Sequence, residues 1–302
     1  MSVSLFKIKK WFNMLRGKSL YHVNQTAGLC YSVDKVEGYY NNLTEKVTRF
    51  PYPNNQIPIT QDDDGSKREF SIAIFQYGLA AYDLMLMHID EANSEKKFMN
   101  CVNWAMEHQE ESGAWLAMES VNPVEPYSAM AQGEGASLLV RAYLKYGDEK
   151  YLKAAGKAVK FMLTPINNGG VAEYAADGGI RLHEYTYMPL VLNGWIFAAW
   201  GLLDYAKVTG DGEIMKSWEL TTKTMADELK LFDAGYWSKY TVGKTMASPF
   251  YHNLHIAQLN VMADLTGIVA FKEYADKFSD YGSSWLNGKR AFIKKAIQKI
   301  TE

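Results

Sequence analysis

The sequence of 302 residues predicts a mainly α-helical protein whose helices pair into hairpins and form an α/α toroid or solenoid. Two observations lead to this prediction. From Glu69 onward, apolar residues recur at spacings of three and four in successive runs, which is the periodicity of a helix with a buried face. Similar glycine-containing loops follow three of the predicted hairpins, as expected when one helical pair and one loop form a repeating unit.

The periodic runs form four pairs and a final single helix. They are residues 70–88 with 94–108, 135–146 with 150–162, 190–206 with 214–229, 252–265 with 271–281, and lastly 285–300. The loop glycines after the first three pairs are Gly113, Gly170 and Gly235, spaced by 57 and 65 residues. Because such loops gather at one end of a toroid, their polar side chains can converge on a single cleft.

Residues 1–68 are expected to form a separate N-terminal segment before a toroid domain of residues 69–302. Residues 5–18 mix bulky apolar and basic side chains, so this stretch could pack on its own domain or lie on an anionic membrane surface. Residues 39–64 are rich in Asn, Pro and Asp and are expected to be irregular or to form short strands. The aspartates at 62–64 lack the spacing of a calcium loop, which favours a solvated turn.

The composition restricts the class of function. The net charge of -2 gives no dominant basic face and argues against a nucleic-acid-binding protein. Aromatic residues make up 14% of the chain, which suits either a large core or a surface that stacks on sugar rings. Cys30 and Cys101 have no metal-like spacing, so we expect a reducing, cytoplasmic location rather than a disulfide framework. No apolar run approaches the roughly 20 residues of a membrane span.

Residues 236–259 hold an unusual concentration of reactive side chains. Tyr240, Lys244, Tyr251, His252 and His255 follow one another as a polar loop leads into a helix. Phenols, a cation and imidazoles are suited to proton transfer on an anionic substrate, so this segment is predicted to form half of an active site. The two histidines share a helix face and could bind zinc, but no third ligand has a recognisable spacing. Polar lining of a cleft is favoured, and no metal is predicted.

A second candidate site begins at Glu184, which stands beside Tyr185 in the loop after the second hairpin. A partly desolvated carboxylate in this position would have a raised pKa and could act as a general base. A solvated loop glutamate is the alternative. Asn193 and Gly194 then lie inside an apolar helix, where both residue types cost stability, so a packing or ligand-binding reason is expected.

A third candidate segment, residues 127–135, opens the second hairpin with Tyr127. Gln132 and Glu134 supply an amide and a carboxylate, and the glycines at 133 and 135 could let the backbone approach a ligand closely. The alternative is that Glu134 caps the positive N-terminal end of the helix. The residues alone leave both interpretations open.

Taken in order, these segments resemble the C-terminal domain of the D-glucuronyl C5-epimerase family. The similar segments are residues 127–143 (Y-S-A-M-A-Q-G, then L-V-R-A-Y), 184–194 (E-Y-x-x-x-P-x-V-L-N-G), 201–205 (G-L-x-D-Y), 232–240 (F-D-x-G-x-W-S-x-Y) and 251–259 (Y-H-x-x-H-I-x-Q-L). The resemblance implies an incomplete α/α toroid, which β-rich domains precede in the family. Because only residues 1–68 come before the toroid, we expect that β-rich portion to be absent or supplied by a partner.

The resemblance also implies a reaction, the inversion of D-glucuronate to L-iduronate at C5 within a heparosan-type polymer. It implies that Glu184 and Tyr251 transfer protons, with Tyr185 and Tyr240 as neighbouring substrate or catalytic groups. The C5 proton lies α to a carboxylate, so a cation or strong donors must stabilise the carbanion, and inversion needs one group on each face of the ring. No organic cofactor is required by this mechanism.

The sequence departs from the family pattern near its reactive residues. The family commonly has an Arg after the W-S-x-Y segment, whereas this chain has Lys244, which cannot make a bidentate guanidinium contact. The intervals from Tyr240 to Tyr251 and from Glu184 to Asn193 are also shorter. These changes preserve the chemical class and leave the identity of the glycan open.

The expected partner is a uronate-containing oligo- or polysaccharide. Candidate substrate-binding residues are Tyr127, Gln132, Glu134, Tyr185, Asn193, Lys244, His252 and His255. Three alternative functions are a uronate lyase, which expels the C4 substituent after the same proton abstraction, a glycoside hydrolase that uses Glu134 and Glu184, and a non-catalytic glycan-binding protein. A homodimer and a peripheral membrane contact through the N-terminal basic segment are further expectations.

Overall fold

The computed structural model describes residues 25–49, 51–62 and 65–301. The basic segment 5–18 and two of the three aspartates at 62–64 lie outside these ranges. In chain order the elements are α1 (Glu45–Thr48), β1 (Ile59–Gln61), β2 (Lys67–Glu69), α2 (Ser71–Leu86), α3 (Glu91–His108), α4 (Ala129–Tyr146), α5 (Glu149–Met162), a 3₁₀ turn (Ile166–Asn168), β3 (Ala172–Tyr174), β4 (Ile180–Leu182), α6 (Leu192–Thr209), α7 (Gly212–Glu228), a 3₁₀ turn (Leu229–Phe232), α8 (Pro249–Thr266), α9 (Val269–Ser283) and α10 (Trp285–Thr301). Within these ranges, no helix combines the length and the apolar character needed to cross a membrane.

Four helical hairpins form two layers. Helix α2 packs on α3, α4 on α5, α6 on α7 and α8 on α9, while α2, α4, α6 and α8 also contact one another in succession. Helices α2, α4, α6 and α8 therefore form the inner layer, and α3, α5, α7 and α9 form the outer layer. The strands form only two short antiparallel hairpins, β1–β2 and β3–β4. This arrangement confirms the prediction of a mainly α, incomplete α/α toroid.

Burial explains which helices lie inside. In α2, α4 and α6 nearly every residue is buried except near the C-terminal end, and a helix that is buried all round belongs to the core. Helix α5 instead buries Tyr151, Ala154, Ala155, Ala158, Val159 and Met162. These positions recur every three or four residues, so α5 covers the inner layer with one face and presents the other to solvent.

Glycines bring two inner helices into backbone contact. A Cβ atom on Gly133 of α4 would lie 2.5 Å from the Cα of Ala198 on α6, and one on Gly201 would lie 2.5 Å from the Cα of Gly133. A Cβ atom on Gly135 would lie 2.5 Å from the ring of Trp115. The expectation that Gly133 and Gly135 admit a ligand is therefore wrong, because protein atoms occupy the space above both.

A buried arginine attaches the N-terminal segment to the toroid. Arg141 on α4 is fully buried and donates to Asp204 Oδ2 on α6 at 2.6 Å, and it also donates to the carbonyl oxygens of Glu37 and Gly38, each at 3.0 Å. The Tyr40 hydroxyl donates to Asp204 Oδ1 at 2.8 Å. Residues 37–40 consequently share the core of the toroid.

Candidate functional site

Two loops lie side by side at one end of the inner helices. Val191, just before α6, forms an antiparallel bridge with Thr241. The Leu192 N–H donates to the Tyr240 carbonyl at 3.3 Å, and the Val242 N–H donates to the Leu190 carbonyl at 2.9 Å. This pairing brings the segment that follows Glu184 against the loop that carries Tyr240, although 56 residues separate them in the sequence.

Four of the side chains implicated by the sequence lie within electrostatic range of one another, and we call them the carboxylate–phenol chain. The charge of Glu184 acts on the phenols of Tyr185, Tyr240 and Tyr251, and a hydrogen bond from Tyr185 acts in turn on the Glu184 carboxyl group. The rings of Tyr240 and Tyr251 lie 4.7 Å apart between centroids and are inclined by 52°. The three rings are half-buried, so the chain has a side that a ligand can reach.

Glu184 lies at the deep end of this chain. Its residue is 5% exposed, and its Oε2 atom has no hydrogen-bond partner among the described residues. Burial raises the pKa of this carboxyl to about 7, and the hydrogen bond from Tyr185 acts in the opposite direction. A glutamate with this pKa exchanges protons readily near neutral pH, as a general base or acid must.

The three phenols keep their protons more firmly than an ordinary tyrosine. Burial, followed by the charge of Glu184, raises the pKa of Tyr251 and of Tyr240. For Tyr185 the charge of Glu184 is the larger cause and burial the second. At neutral pH the chain therefore holds three protonated phenols beside one carboxyl group that titrates.

A second carboxyl group lies close to the first. Glu134 on α4 is fully buried, accepts a hydrogen bond from Gln76 Nε2 at 2.8 Å, and has an Oε2 atom without a partner in the described residues. Burial raises the pKa of Glu134 well above its usual value; the cation of Lys46 opposes this rise, and the charge of Glu184 adds to it. Burial in turn lowers the pKa of Lys46 to about 8. The alternative that Glu134 caps its helix is wrong, because α4 already begins at Ala129.

Gln132 and Tyr127 use their polar groups within the protein. The Gln132 side chain accepts from the Trp115 N–H at 3.0 Å and donates to the carbonyl oxygens of Trp115 and Ser128 at 3.0 and 3.1 Å. The Tyr127 hydroxyl donates to Glu110 at 2.8 Å. No contact of the described residues joins either side chain to the carboxylate–phenol chain, and their roles in substrate binding stay predictions.

The two histidines of α8 meet at one serine. The Ser238 N–H donates to His252 Nδ1 at 3.2 Å, and Ser238 Oγ lies 3.0 Å from His255 Nδ1. His252 Nε2 donates to the Phe278 carbonyl at 2.9 Å, which assigns a neutral imidazole. Burial lowers the pKa of His252 to about 4 and that of His255 to about 3. In the described part of the chain no group of three His, Cys, Asp or Glu side chains could hold a metal ion.

Asn193 and Lys244 differ in their relation to the site. Asn193 is 3% exposed, and the Oδ1 atom of its side chain has no hydrogen-bond partner in the described ranges. It directly precedes Gly194, which packs against the Glu184 carboxyl group. Lys244 is exposed, and its carbonyl accepts a hydrogen bond from the Gln298 side chain. Asn193 is thus next to the glycine that contacts Glu184, whereas the contact described for Lys244 is with α10.

Two residues of this region were missed by the sequence analysis. Gln76 is a single polar residue within the apolar run A-I-F-Q-Y-G. A lone amide in a run that is predicted to be buried indicates a buried polar partner, and this pattern could have identified Gln76. Lys46 belongs to the single-turn helix α1, in a segment without periodicity, so nothing in the sequence linked its charge to Glu134.

The fold and this site define an α/α-toroid protein in which a buried glutamate lies beside three tyrosines at one end of the inner helices. Residues 109–280 match the family model described as D-glucuronyl C5-epimerase C-terminus. Because this match covers more than half of the chain, the protein belongs to the D-glucuronyl C5-epimerase family, which confirms the resemblance read from the sequence.

Relatives extend the comparison to other organisms. The chain is 30% identical over 224 residues to a D-glucuronyl C5-epimerase of Caenorhabditis elegans, covering 64% of this chain and 35% of the relative. It is 28% identical over 157 residues to an uncharacterized protein of Methanocaldococcus jannaschii, covering 50% of this chain and 51% of that protein. Each alignment thus spans about half of the relative or less. Among solved structures, an endo-β-1,4-glucanase from Acetobacter xylinum aligns with a TM-score of 0.45 at 14% identity, over 78% of this chain and 77% of the glucanase chain.

Proposed function

We propose that this protein inverts C5 of D-glucuronate residues in a uronate-containing glycan and so forms L-iduronate. The observation that carries the proposal is the carboxylate–phenol chain, in which the buried Glu184 lies within electrostatic range of Tyr185, Tyr240 and Tyr251. Membership of the D-glucuronyl C5-epimerase family supports the same reaction.

In the proposed forward reaction, the Glu184 carboxylate takes the proton from C5 of the sugar. The C5–H electron pair passes into the adjacent carboxylate of the substrate, giving an enolate-like intermediate. Tyr251 then gives its phenolic proton to C5 from the opposite face of the ring, and the configuration inverts. The pKa of Glu184, about 7, suits a base that works near neutral pH.

The intermediate carries extra negative charge on the substrate carboxylate and needs a cation or strong donors. We propose Lys46 for this role, because its charge acts on Glu134, which in turn lies within electrostatic range of Glu184. Asn193 Oδ1 is a buried acceptor without a partner in the described residues, and we propose that a sugar hydroxyl group donates to it.

The carboxylate–phenol chain also offers a way to restore the starting state. After one inversion Glu184 holds a proton and Tyr251 is a phenolate. We propose that Glu184 donates to Tyr185, Tyr185 to Tyr240, and Tyr240 to Tyr251, which returns the missing proton, and that these half-buried phenols exchange their protons with solvent between turnovers. Once Glu184 is neutral, its charge no longer raises the pKa of Tyr251. The Tyr251 phenolate is therefore most stable after the inversion, when Glu184 holds the proton.

The rival reactions share part of this site. A lyase would begin with the same proton abstraction and then expel the C4 substituent. A hydrolase would need Glu134 as a second carboxyl group in contact with the glycosidic bond, and the complete burial of Glu134 together with its bond from Gln76 disfavours that role.

The test is deuterium incorporation at C5, followed by NMR, when heparosan-type or other glucuronate glycans are incubated with the protein in heavy water. We expect exchange at C5 and the appearance of iduronate signals, both reduced by at least about 100-fold in Glu184→Gln and Tyr251→Phe. The folded state of each variant is checked by circular dichroism.

The matched control is Tyr146→Phe, which removes an exposed phenol at the C-terminal end of α4, outside the carboxylate–phenol chain. An ultraviolet-absorbing unsaturated product would identify a lyase, and new reducing ends that vanish in Glu134→Gln would identify a hydrolase. Glycan binding without exchange, unchanged by Tyr251→Phe, would replace the proposal with a binding role.

A further inference from the structure

The last helix, α10, exposes an apolar stripe to solvent. Leu286, Ile293 and Ile297 are 70%, 58% and 56% exposed, and spacings of seven and four residues place them on one face of the helix. Trp285, at the start of the helix, is 68% exposed. A run of large apolar side chains along one exposed face is uncommon on a protein surface and marks an interaction site.

Cations flank this stripe. Residues 285–298 include Lys289, Arg290, Lys294 and Lys295 and contain no acidic residue, although the whole chain carries a net charge of -2. At 100° per residue, Lys289 lies on one side of the apolar stripe, and Arg290 and Lys294 lie on the other. The basic side chains are thus distributed on both sides of the stripe.

The opposite face of α10 is fixed to the domain. Ala291 is 3% exposed and packs in a small apolar cluster with Tyr236, Trp237 and Met246. The Met246 N–H donates to Gln298 Oε1 at 3.1 Å. Because the helix is attached through this face, the stripe of Leu286, Ile293 and Ile297 points outward from a folded element.

We propose that the exposed face of α10 (residues 285–298) binds the surface of an anionic lipid bilayer. The apolar stripe would enter the boundary between headgroups and acyl chains, Trp285 would lie at the same depth, and Lys289 and Lys294 would face the lipid phosphates, while Arg290 lies over the Tyr236 ring at 3.8 Å. Charge complementarity selects this partner over a second copy of the chain, because a two-fold interface through the stripe would place these cations against the same cations of the other copy.

Membrane binding through α10 would act close to the candidate site. Lys295 Nζ lies 5.9 Å from the ring centroid of Tyr240, and Gln298 holds both Lys244 and Met246 of the loop that follows Tyr240. These contacts lie on the face of α10 that is attached to the domain, so the loop that carries Tyr240 would lie behind the helix, about one helix diameter from the lipid surface. The inference rests on the exposed face of α10 and stands independently of the proposed reaction.

The test is co-sedimentation of the full chain with vesicles of phosphatidylcholine alone or with about 30% phosphatidylglycerol, at about 50 and about 500 mM NaCl. We expect binding to the anionic vesicles only, and weaker binding at high salt. Lys289→Glu with Lys294→Glu should lower the partition coefficient at least about tenfold. Leu286→Gln with Ile293→Gln should lower it similarly at both salt concentrations.

The matched controls are Lys216→Glu with Lys223→Glu, the same charge change on the exposed face of α7, and Val121→Gln with Val124→Gln, two exposed valines of a loop. Both should bind vesicles like the unchanged chain. Equal losses in the α7 and α10 charge variants, or no binding to anionic vesicles, would overturn the proposal. Sedimentation-velocity detection of a dimer that Leu286→Gln with Ile293→Gln dissociates, without vesicle binding, would assign the stripe to a second copy.

Discussion

The carboxyl group of Glu184 packs against the Cα atom of Gly194, which carries no side chain. A Cβ atom at position 194 would lie 2.3 Å from Glu184 Oε2 and 2.6 Å from the Glu184 Cβ. Gly194 is in α6, a helix that would otherwise gain about 1 kcal/mol from alanine at this position. The glycine is therefore explained by the space that the carboxyl group requires.

Gly194→Ala should displace Glu184 from the carboxylate–phenol chain. Because the Glu184 Cβ must shift together with its carboxyl group, we expect a lower melting temperature and a loss of C5 exchange of about 10- to 100-fold from misplaced geometry. Exchange is measured by NMR in heavy water, and the melting temperature shows whether the variant is folded. Gly212→Ala is the matched control, since no atom lies within 4 Å of a Cβ atom at that helical position. Equal activity of the two variants would show that Glu184 does not need this space.

Tyr240→Phe should separate the two ends of the carboxylate–phenol chain. The substitution keeps the ring, whose centroid lies 4.7 Å from that of Tyr251, and removes only the hydroxyl group, which we propose relays the proton between Tyr185 and Tyr251. We expect a fall in kcat of about 100-fold with a small change in KM, because the proton cannot return from Glu184 to Tyr251 along the chain. Steady-state iduronate formation gives both constants. A rise in KM at unchanged kcat would assign Tyr240 to substrate binding alone.

The titration of Glu184 predicts an acid limb in the pH dependence of the reaction. The reactive base is the carboxylate, which is present above its pKa of about 7 and is lost as the pH falls through that value. In the direction from glucuronate to iduronate, kcat/KM should fall about tenfold per pH unit below this limb. Since the hydrogen bond from Tyr185 lowers this pKa, the limb should move to higher pH in Tyr185→Phe. A limb that stays in place in this variant would assign it to another group.

The same carboxyl group links stability to pH. Its pKa is about 7 in the folded protein against 4.5 for an ordinary glutamate, so the native state holds the proton more tightly than the unfolded chain. The stability contributed by the neutral carboxyl group is fully present below the unfolded-state pKa of 4.5 and is lost as the pH rises through the folded-state pKa of about 7. Compared with Glu184→Gln, the unchanged chain should lose up to about 3 kcal/mol of unfolding free energy between pH 4 and pH 8 by urea titration. A difference that is constant with pH would contradict the raised pKa.

The helical hairpins were predictable because their signal is local. Apolar spacing identified every long helix in the described residues from Ser71 onward, and the glycine turns at 147 and 210 fall where α4 and α6 end. The predicted start of α4 was six residues too late. Ala129, Gln132 and Glu134 are small or polar, so the first turns of this fully buried helix lack the apolar periodicity on which the prediction relied. There, contacts with neighbouring helices decide the structure more than periodicity does.

The candidate site was predictable as a set of residues but not as a geometry. The resemblance singled out Glu184, Tyr185, Tyr240 and Tyr251, and the pairing of Val191 with Thr241 brings them together, a contact that no local pattern encodes. Residue type alone grouped His252 and His255 with them. The structure gives these histidines hydrogen bonds with Ser238, and their low pKa values reflect burial.

The buried pair of Arg141 and Asp204 predicts a large effect on stability. Arg141→Met removes a cation that holds Asp204 and the carbonyl oxygens of residues 37 and 38, and it leaves a buried carboxylate with only the Tyr40 hydroxyl. We expect a loss of about 3–5 kcal/mol in the free energy of unfolding, because the remaining carboxylate would be buried away from water with no opposite charge to compensate for its lost hydration. Urea titration at neutral pH provides the measurement. Lys272→Met, which breaks the exposed pair of Lys272 with Asp276, is the control and should cost less than about 1 kcal/mol. Losses of similar size in the two variants would mean that Asp204 gains water or a proton when Arg141 is removed, and that the attachment of the N-terminal segment does not depend on this charge pair.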